Sequence, residues 1–99
     1  MSNNGIDGVV EAVHYQTDGS IDTVRYYQRR GSVWSDALLL DRASLFLLLK
    51  DGIKFVTGSR KRFQGSVFQT GAAIRCEGRF IFNGAENPNH DALDDVPVF

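Results

Sequence analysis

Apolar and polar residues alternate along the first part of the chain, and this period-2 pattern predicts a half-buried β-strand. In the stretch VVEAVHY, Val9, Val13 and Tyr15 share one face of that strand. The stretch TDGS comes shortly after it. Asp18-Gly19 between two β-rich runs is a strong hairpin signal, because both residues tolerate the positive φ of a type I′ turn. We therefore predict an N-terminal β-hairpin that is closed by a two-residue loop.

The loop length decides which residues of the two strands face each other. A two-residue loop pairs Val13 with Val24 and Glu11 with Tyr26. The face that carries Val9, Val13 and Tyr26 is the more apolar one, so we expect it to face the core. The opposite face of the second strand then turns three residues to solvent together: Arg25, Tyr27 and Arg29.

The stretch DRASLFLLLKDG predicts the one helix of the chain. Asp41 is a good N-cap, and Gly52 lies where a left-handed residue commonly follows a helix. The apolar residues between them cover nearly the whole circumference of the helix, more than a single stripe requires. They are Leu45, Phe46, Leu47, Leu48 and Leu49.

The rest of the chain predicts further strands and two polar ends. Beyond Gly52, the segments IKFVTG, SVFQTG and AAIRCEGRFIF are separated by glycines, as in an antiparallel meander. Residues 1–7 are polar and are expected to be flexible, and residues 84–99 are acidic and are predicted to be a disordered tail. We expect one α+β domain at residues 8–83, an antiparallel sheet of about four to six strands with one helix packed on it.

Composition agrees with a single globular domain and adds a polarised charge distribution. The chain has 99 residues, of which 42% are hydrophobic and 23% charged, enough for one core. Its formal charge of −1 hides a basic region at 53–79, where Glu77 is the one acidic residue. Such local fields attract charged partners more than the net charge does. The single cysteine, Cys76, and the lack of any long apolar run favour a cytoplasmic location without a membrane partner.

The sequence offers little for catalysis. Its two histidines are His14 and His90, and neither lies in a CxxC, HxxxH or HExxH pattern. The glycines form no phosphate-binding motif. We therefore expect a protein that is not an enzyme and has no metal or other cofactor, and no small-molecule substrate is inferred.

The first candidate binding site is the row of Arg25, Tyr27 and Arg29. Alternate strand residues lie about 6–7 Å apart on one face, so the ring lies between two guanidiniums. Such a row suits a base stacked on the ring and phosphates held by the arginines. The alternative is a solvated strand face in which arginine stems shield the ring. Trp34 adds little to the binding interpretation, because a lone tryptophan is more often a core anchor.

The second candidate is the run of Arg60, Lys61 and Arg62 between two glycines. Three adjacent cations cannot all face a core, and a cationic loop can hold a phosphate backbone without recognising its sequence. Plain surface charge is the alternative. The two basic patches support each other only if the fold brings them to one side.

The strongly apolar helix supports a different function. A small sheet covers one stripe of a helix, and the remainder of Leu45–Leu49 would then be free to contact a second copy or another protein. The sequence therefore leaves two interpretations open. The first is binding of an anionic partner such as nucleic acid, which we favour weakly, and the other is protein association, including a homodimer.

Overall fold

The computed structural model describes residues 6–31, 33–60, 68–84 and 90–99, with backbone alone at Arg60. Its strands and helix follow one another in this order: β1 (Gly8–Tyr15), β2 (Ile21–Arg30), β3 (Val33–Trp34), β4 (Leu38–Asp41), α1 (Arg42–Lys50), β5 (Phe55–Arg60), β6 (Phe68–Ala73), β7 (Arg75–Glu77) and β8 (Phe80–Phe82).

Six strands form one mixed sheet, and two form a separate hairpin. The sheet order is β3-β2-β1-β5-β6, with β4 also paired to β2, and β7 pairs with β8. The α+β class with one helix is confirmed, but a wholly antiparallel sheet is wrong, because β5 runs parallel to β1. The crossover through β4 and α1 carries the chain from one side of β1 to the other, and such a connection allows parallel pairing.

The N-terminal hairpin forms with the predicted pairing of Val13 and Val24 but with a longer loop. Gln16 donates its N–H to the Ser20 carbonyl at 2.7 Å, and Gly19 donates to the Gln16 carbonyl at 2.9 Å. Gly19 has φ 90°, as the left-handed residue after a type I turn requires. The pairing of Val13 survives because an irregularity between His14 and Tyr15 offsets the extra loop residue.

A β-bulge at Glu11 changes the faces of β1. Val10 pairs with Tyr26 and Ala12 pairs with Arg25, so Glu11 is the extra residue and its predicted pairing with Tyr26 is wrong. A one-residue shift moves side chains to the opposite face. Val10 therefore takes the core position that was predicted for its neighbour Val9, and Val9 faces the other side beside Tyr27. Both valines are buried.

The helix begins and ends where predicted. The Asp41 side chain accepts a hydrogen bond from the Ser44 N–H at 2.8 Å, and Gly52 has φ 86°. Leu45 is fully buried in the core, whereas Leu47 is 65% exposed. Phe46, Leu48 and Leu49 are partly buried against the core. The chain itself thus covers most of the predicted interface at Leu45–Leu49. The core consists of Val10, Val13, Ile21, Val24, Tyr26, Leu45, Phe55, Ile74, Ile81, Leu93 and Val96.

Residues 90–99 differ from the predicted disordered tail. Leu93 and Val96 are 4% and 8% exposed and belong to the core. Val13 donates its N–H to the Pro97 carbonyl, and Phe99 donates to the Val13 carbonyl, both at 2.9 Å. The prediction of a disordered tail rested on the lack of periodicity, but this segment contributes two apolar side chains to the core without a periodic pattern. The core therefore extends past the predicted boundary at residue 83.

Asp7 lies in the stretch that was expected to be flexible, yet it is hydrogen-bonded to the chain before β5. It donates its N–H to the Lys54 carbonyl at 2.8 Å, and its carboxylate accepts from the Lys54 N–H at 3.0 Å. Residues 1–5, from the same predicted stretch, and residues 85–89, from the predicted tail, lie outside the described residues.

Candidate nucleic-acid interface

Arg25, Tyr27 and Arg29 lie together on the face of the sheet opposite the core. Val24 and Tyr26, which alternate with them along β2, are buried in the core. Successive side chains of a strand point to opposite faces, so the three share the other face, as predicted. Each of them is half-buried rather than fully exposed.

The Glu11 carboxylate organises two of these side chains. The Tyr27 hydroxyl donates to Glu11 Oε1 at 2.7 Å, and Arg25 Nε lies 3.3 Å from Glu11 Oε2. The bulge in β1 therefore brings an acid to a face that the sequence predicted to be cationic and aromatic. This acid orients both side chains and offsets part of the charge of Arg25.

The aromatic surface is larger than the sequence predicted. Phe68 contacts Tyr27 with ring centroids 5.2 Å apart and contacts Trp34 at 4.7 Å. Trp34 pairs with Arg29 across β2 and β3, so both lie on the same face of the sheet. Since β3 and β6 stand at opposite ends of the strand order, the sheet curls until its two ends meet beside Tyr27.

We call this surface the aromatic face and define it by five residues. They are Arg25, Tyr27, Arg29, Trp34 and Phe68. The sequence favours Trp34 as a core anchor and indicates no role for Phe68. No local pattern links these two residues, because their contact depends on how far the whole sheet curls.

The second basic patch is described only in part. The backbone of Arg60 pairs with Phe68 across β5 and β6, which puts this strand position next to the aromatic face. Lys61 and Arg62 lie outside the described residues. The prediction of a cationic loop at residues 60–62 therefore remains a prediction.

An open cleft of about 410 Å³ lies beside Glu11. Strands β5 and β6 form one wall, and residues 95–97 form the other. The cleft exists because β1 changes partner at the bulge: residues 8–10 pair with β5, whereas Val13 bridges to Val98. Glu11 and Asp95 line the cleft and disfavour a phosphate there.

A second charged site among the described residues has a structural role. Asp91 is 4% exposed, and its carboxylate accepts hydrogen bonds from the backbone N–H groups of Ile21 and Ile81 at 2.9 and 3.0 Å. Arg42 donates to it from Nε at 2.7 Å and Nη2 at 3.1 Å. Burial raises the pKa of Asp91, but these hydrogen bonds outweigh that effect and the pKa lies below its usual value. The bond to Asp91 also raises the pKa of Arg42 further.

Neither a group of metal ligands nor a membrane-spanning helix is found within the described ranges. No three His, Cys, Asp or Glu side chains of those residues form a group that suits a metal ion. No helix in the same part of the chain is both long and apolar enough to cross a bilayer.

Searches of protein-family models, curated proteins and solved structures found no match to this chain. Any functional conclusion therefore depends on the geometry and chemistry of the aromatic face.

Proposed function

We propose that the protein is a non-catalytic, cytoplasmic binding module whose aromatic face binds single-stranded nucleic acid. One observation carries the proposal: the Phe68 ring contacts those of Tyr27 and Trp34, with centroids 5.2 and 4.7 Å away, and the three rings share a sheet face with two arginines. Aromatic rings on a sheet stack on unpaired bases, and arginine holds the phosphates between them. A double-stranded helix hides its bases from such a surface, so single strands fit better.

The charges of the face favour weak, salt-sensitive binding. Glu11 offsets part of the charge of Arg25, and the whole chain carries a formal charge of −1. With so little positive charge, the aromatic face can neutralise only a few phosphates of a bound strand. Two phosphate contacts to a single strand would reduce affinity roughly sevenfold between about 50 and 200 mM salt. Bases with strong stacking should bind more tightly than weakly stacking ones.

Trp34 provides a direct assay, because it is the only tryptophan of the chain. Its fluorescence is titrated with single-stranded DNA, single-stranded RNA and a duplex at about 50 mM salt and again at about 200 mM. The test variant combines Arg25→Ala with Arg29→Ala. The matched control combines Lys50→Ala with Arg79→Ala, which removes the same charge from the end of α1 and from the turn between β7 and β8.

The proposal predicts Trp34 quenching by single strands, weaker binding at higher salt, and a larger loss in the test variant than in the control. Equal losses in the two double variants would mean that net charge alone drives binding. No binding to any of the three nucleic acids at low salt would refute the proposal.

Protein association is the second candidate, and two exposed leucines favour it. Leu39 is 66% exposed and Leu47 65% exposed. Leu39 pairs with Arg25 and so lies at the border of the aromatic face, whereas Leu47 lies on α1. Sedimentation across a hundredfold range of concentration tests a homodimer: a constant monomer mass excludes self-association, and a rising mass that Leu47→Ser abolishes supports it.

A further inference from the structure

Phe99 covers the guanidinium of Arg25. The Arg25 Cζ lies 4.7 Å from the centroid of the Phe99 ring, within the range of a cation–π contact. The Phe99 ring also lies 5.8 Å from the His14 ring, and the Phe99 carbonyl accepts a hydrogen bond from His14 Nδ1. One arginine of the aromatic face is therefore already occupied by the chain itself.

Arg25 also carries a donor that lacks an acceptor within the described part of the chain. Arg25 Nε is buried and has no hydrogen-bond partner among the described residues, although Glu11 Oε2 lies 3.3 Å away as an ion-pair partner. The distance is short enough for attraction between charges, but the donor is not aligned with the oxygen. A buried donor without an acceptor is unfavourable, and an incoming oxyanion in line with Nε would remove that cost.

The segment that carries Phe99 is anchored in the core at Val96 and lies on the surface after it. Val96 is buried in the core, whereas Pro97, Val98 and Phe99 are exposed. The exposed residues are held by two backbone hydrogen bonds to Val13, by the hydrogen bond from His14 to the Phe99 carbonyl and by the contacts of the Phe99 ring. The core residues Leu93 and Val96 take no part in these contacts.

We propose that Pro97–Phe99 is a displaceable cover of Arg25, and that a phosphate of bound nucleic acid takes the place of the Phe99 ring. The phosphate oxygen then accepts the hydrogen bond that Arg25 Nε lacks. This inference rests on the proposed nucleic-acid function and adds a regulatory contact to it. Arg25 therefore contacts either the Phe99 ring or a bound phosphate, but not both at once.

The test measures the affinity of an oligo-dT single strand for the full chain and three variants by Trp34 fluorescence. Phe99→Ala removes the covering ring and should bind about two- to fivefold more tightly, the factor expected for the loss of an exposed cation–π contact. Phe99→Tyr keeps a ring and should match the unchanged protein. Val98→Ala changes the same segment without touching the ring and is the control.

Amide hydrogen exchange provides a second measurement. The Phe99 N–H is bonded to the Val13 carbonyl, and the Val13 N–H to the Pro97 carbonyl, so both should exchange faster when oligo-dT saturates the protein. Binding with unchanged exchange and no gain from Phe99→Ala would overturn the cover while leaving the proposed function intact. Weaker binding of Phe99→Ala would make Phe99 part of the binding surface. No binding by the unchanged protein or by Phe99→Ala would refute both proposals.

Discussion

Arg42 and Asp91 form a bidentate ion pair, in which Nε and Nη2 of Arg42 lie 2.7 and 3.1 Å from the two carboxylate oxygens of Asp91. The pair connects the first turn of α1 to the 90–99 segment. Asp91 also accepts from Ile21 at the start of β2 and from Ile81 in β8. One buried carboxylate thus joins four parts of the chain, among them the N-terminal hairpin and the β7-β8 hairpin.

We expect Asp91→Asn to destabilise the fold by about 2–3 kcal/mol. The amide cannot accept all four hydrogen bonds, and it leaves Arg42 without a counter-charge. The value lies at the low end for a broken buried pair because the Arg42 side chain is 29% exposed and can reach water. Urea unfolding measures the effect. Asp36→Asn, in the exposed loop before β4, is the control and should change stability by less than about 0.5 kcal/mol.

The same pair makes stability depend on pH in the acidic range. Because the pKa of Asp91 is lower in the folded state than in the unfolded chain, ionisation of Asp91 favours folding. The unfolded value is about 3.9, so this contribution is complete above roughly pH 5 and is lost as the pH falls through the folded pKa. The melting temperature of the unchanged protein should therefore fall more steeply below about pH 4 than that of Asp91→Asn. Parallel curves would show that Asp91 does not contribute.

Short sequence patterns predicted those parts of the fold that depend on hydrogen bonds between residues close together in the chain. Asp41 caps α1 because its side chain reaches the N–H of Ser44, three residues away. The bulge at Glu11 and the parallel pairing of β1 with β5 depend on distant strands, and the sequence carried no sign of either. Asp91, two residues before the buried Leu93, pairs with Arg42, which is 49 residues away along the chain, and no local pattern indicates such a pair.

The sequence likewise predicted only the part of the candidate site that lies along a single strand. Alternation along β2 placed Arg25, Tyr27 and Arg29 on one face, since that pattern needs no knowledge of other strands. The contact of Tyr27 with Phe68 arises only when the sheet curls. The acid beside Arg25 was also missed, because the bulge moves Glu11 out of its predicted pairing.

Two leucines of α1 should respond very differently to substitution by alanine, because one is buried and the other is exposed. Leu45 is fully buried, so Leu45→Ala should leave a cavity and cost about 3 kcal/mol of unfolding free energy. Leu47 is 65% exposed, and Leu47→Ala should change the stability of a monomer by less than about 0.5 kcal/mol. Urea unfolding at low protein concentration gives both values. A large loss for Leu47→Ala that grows with protein concentration would instead reveal an interface on this face of α1.

Glu11 should restrain nucleic-acid binding, and Glu11→Gln tests this. The amide keeps an oxygen that can accept from the Tyr27 hydroxyl but removes the negative charge beside Arg25. We expect binding of oligo-dT to become about three- to tenfold tighter at low salt, with a smaller gain at high salt because screening weakens the repulsion that is removed.

The control for this prediction is Glu77→Gln, which removes one exposed charge from β7. An equal gain in the two variants would show that net charge, not the position of Glu11, sets the affinity. A loss in Glu11→Gln alone would show that the carboxylate is needed to hold Arg25 and Tyr27 in place. A gain confined to Glu11→Gln is the outcome that the proposed binding surface predicts, because Glu11 is the acid that lies 3.3 Å from Arg25.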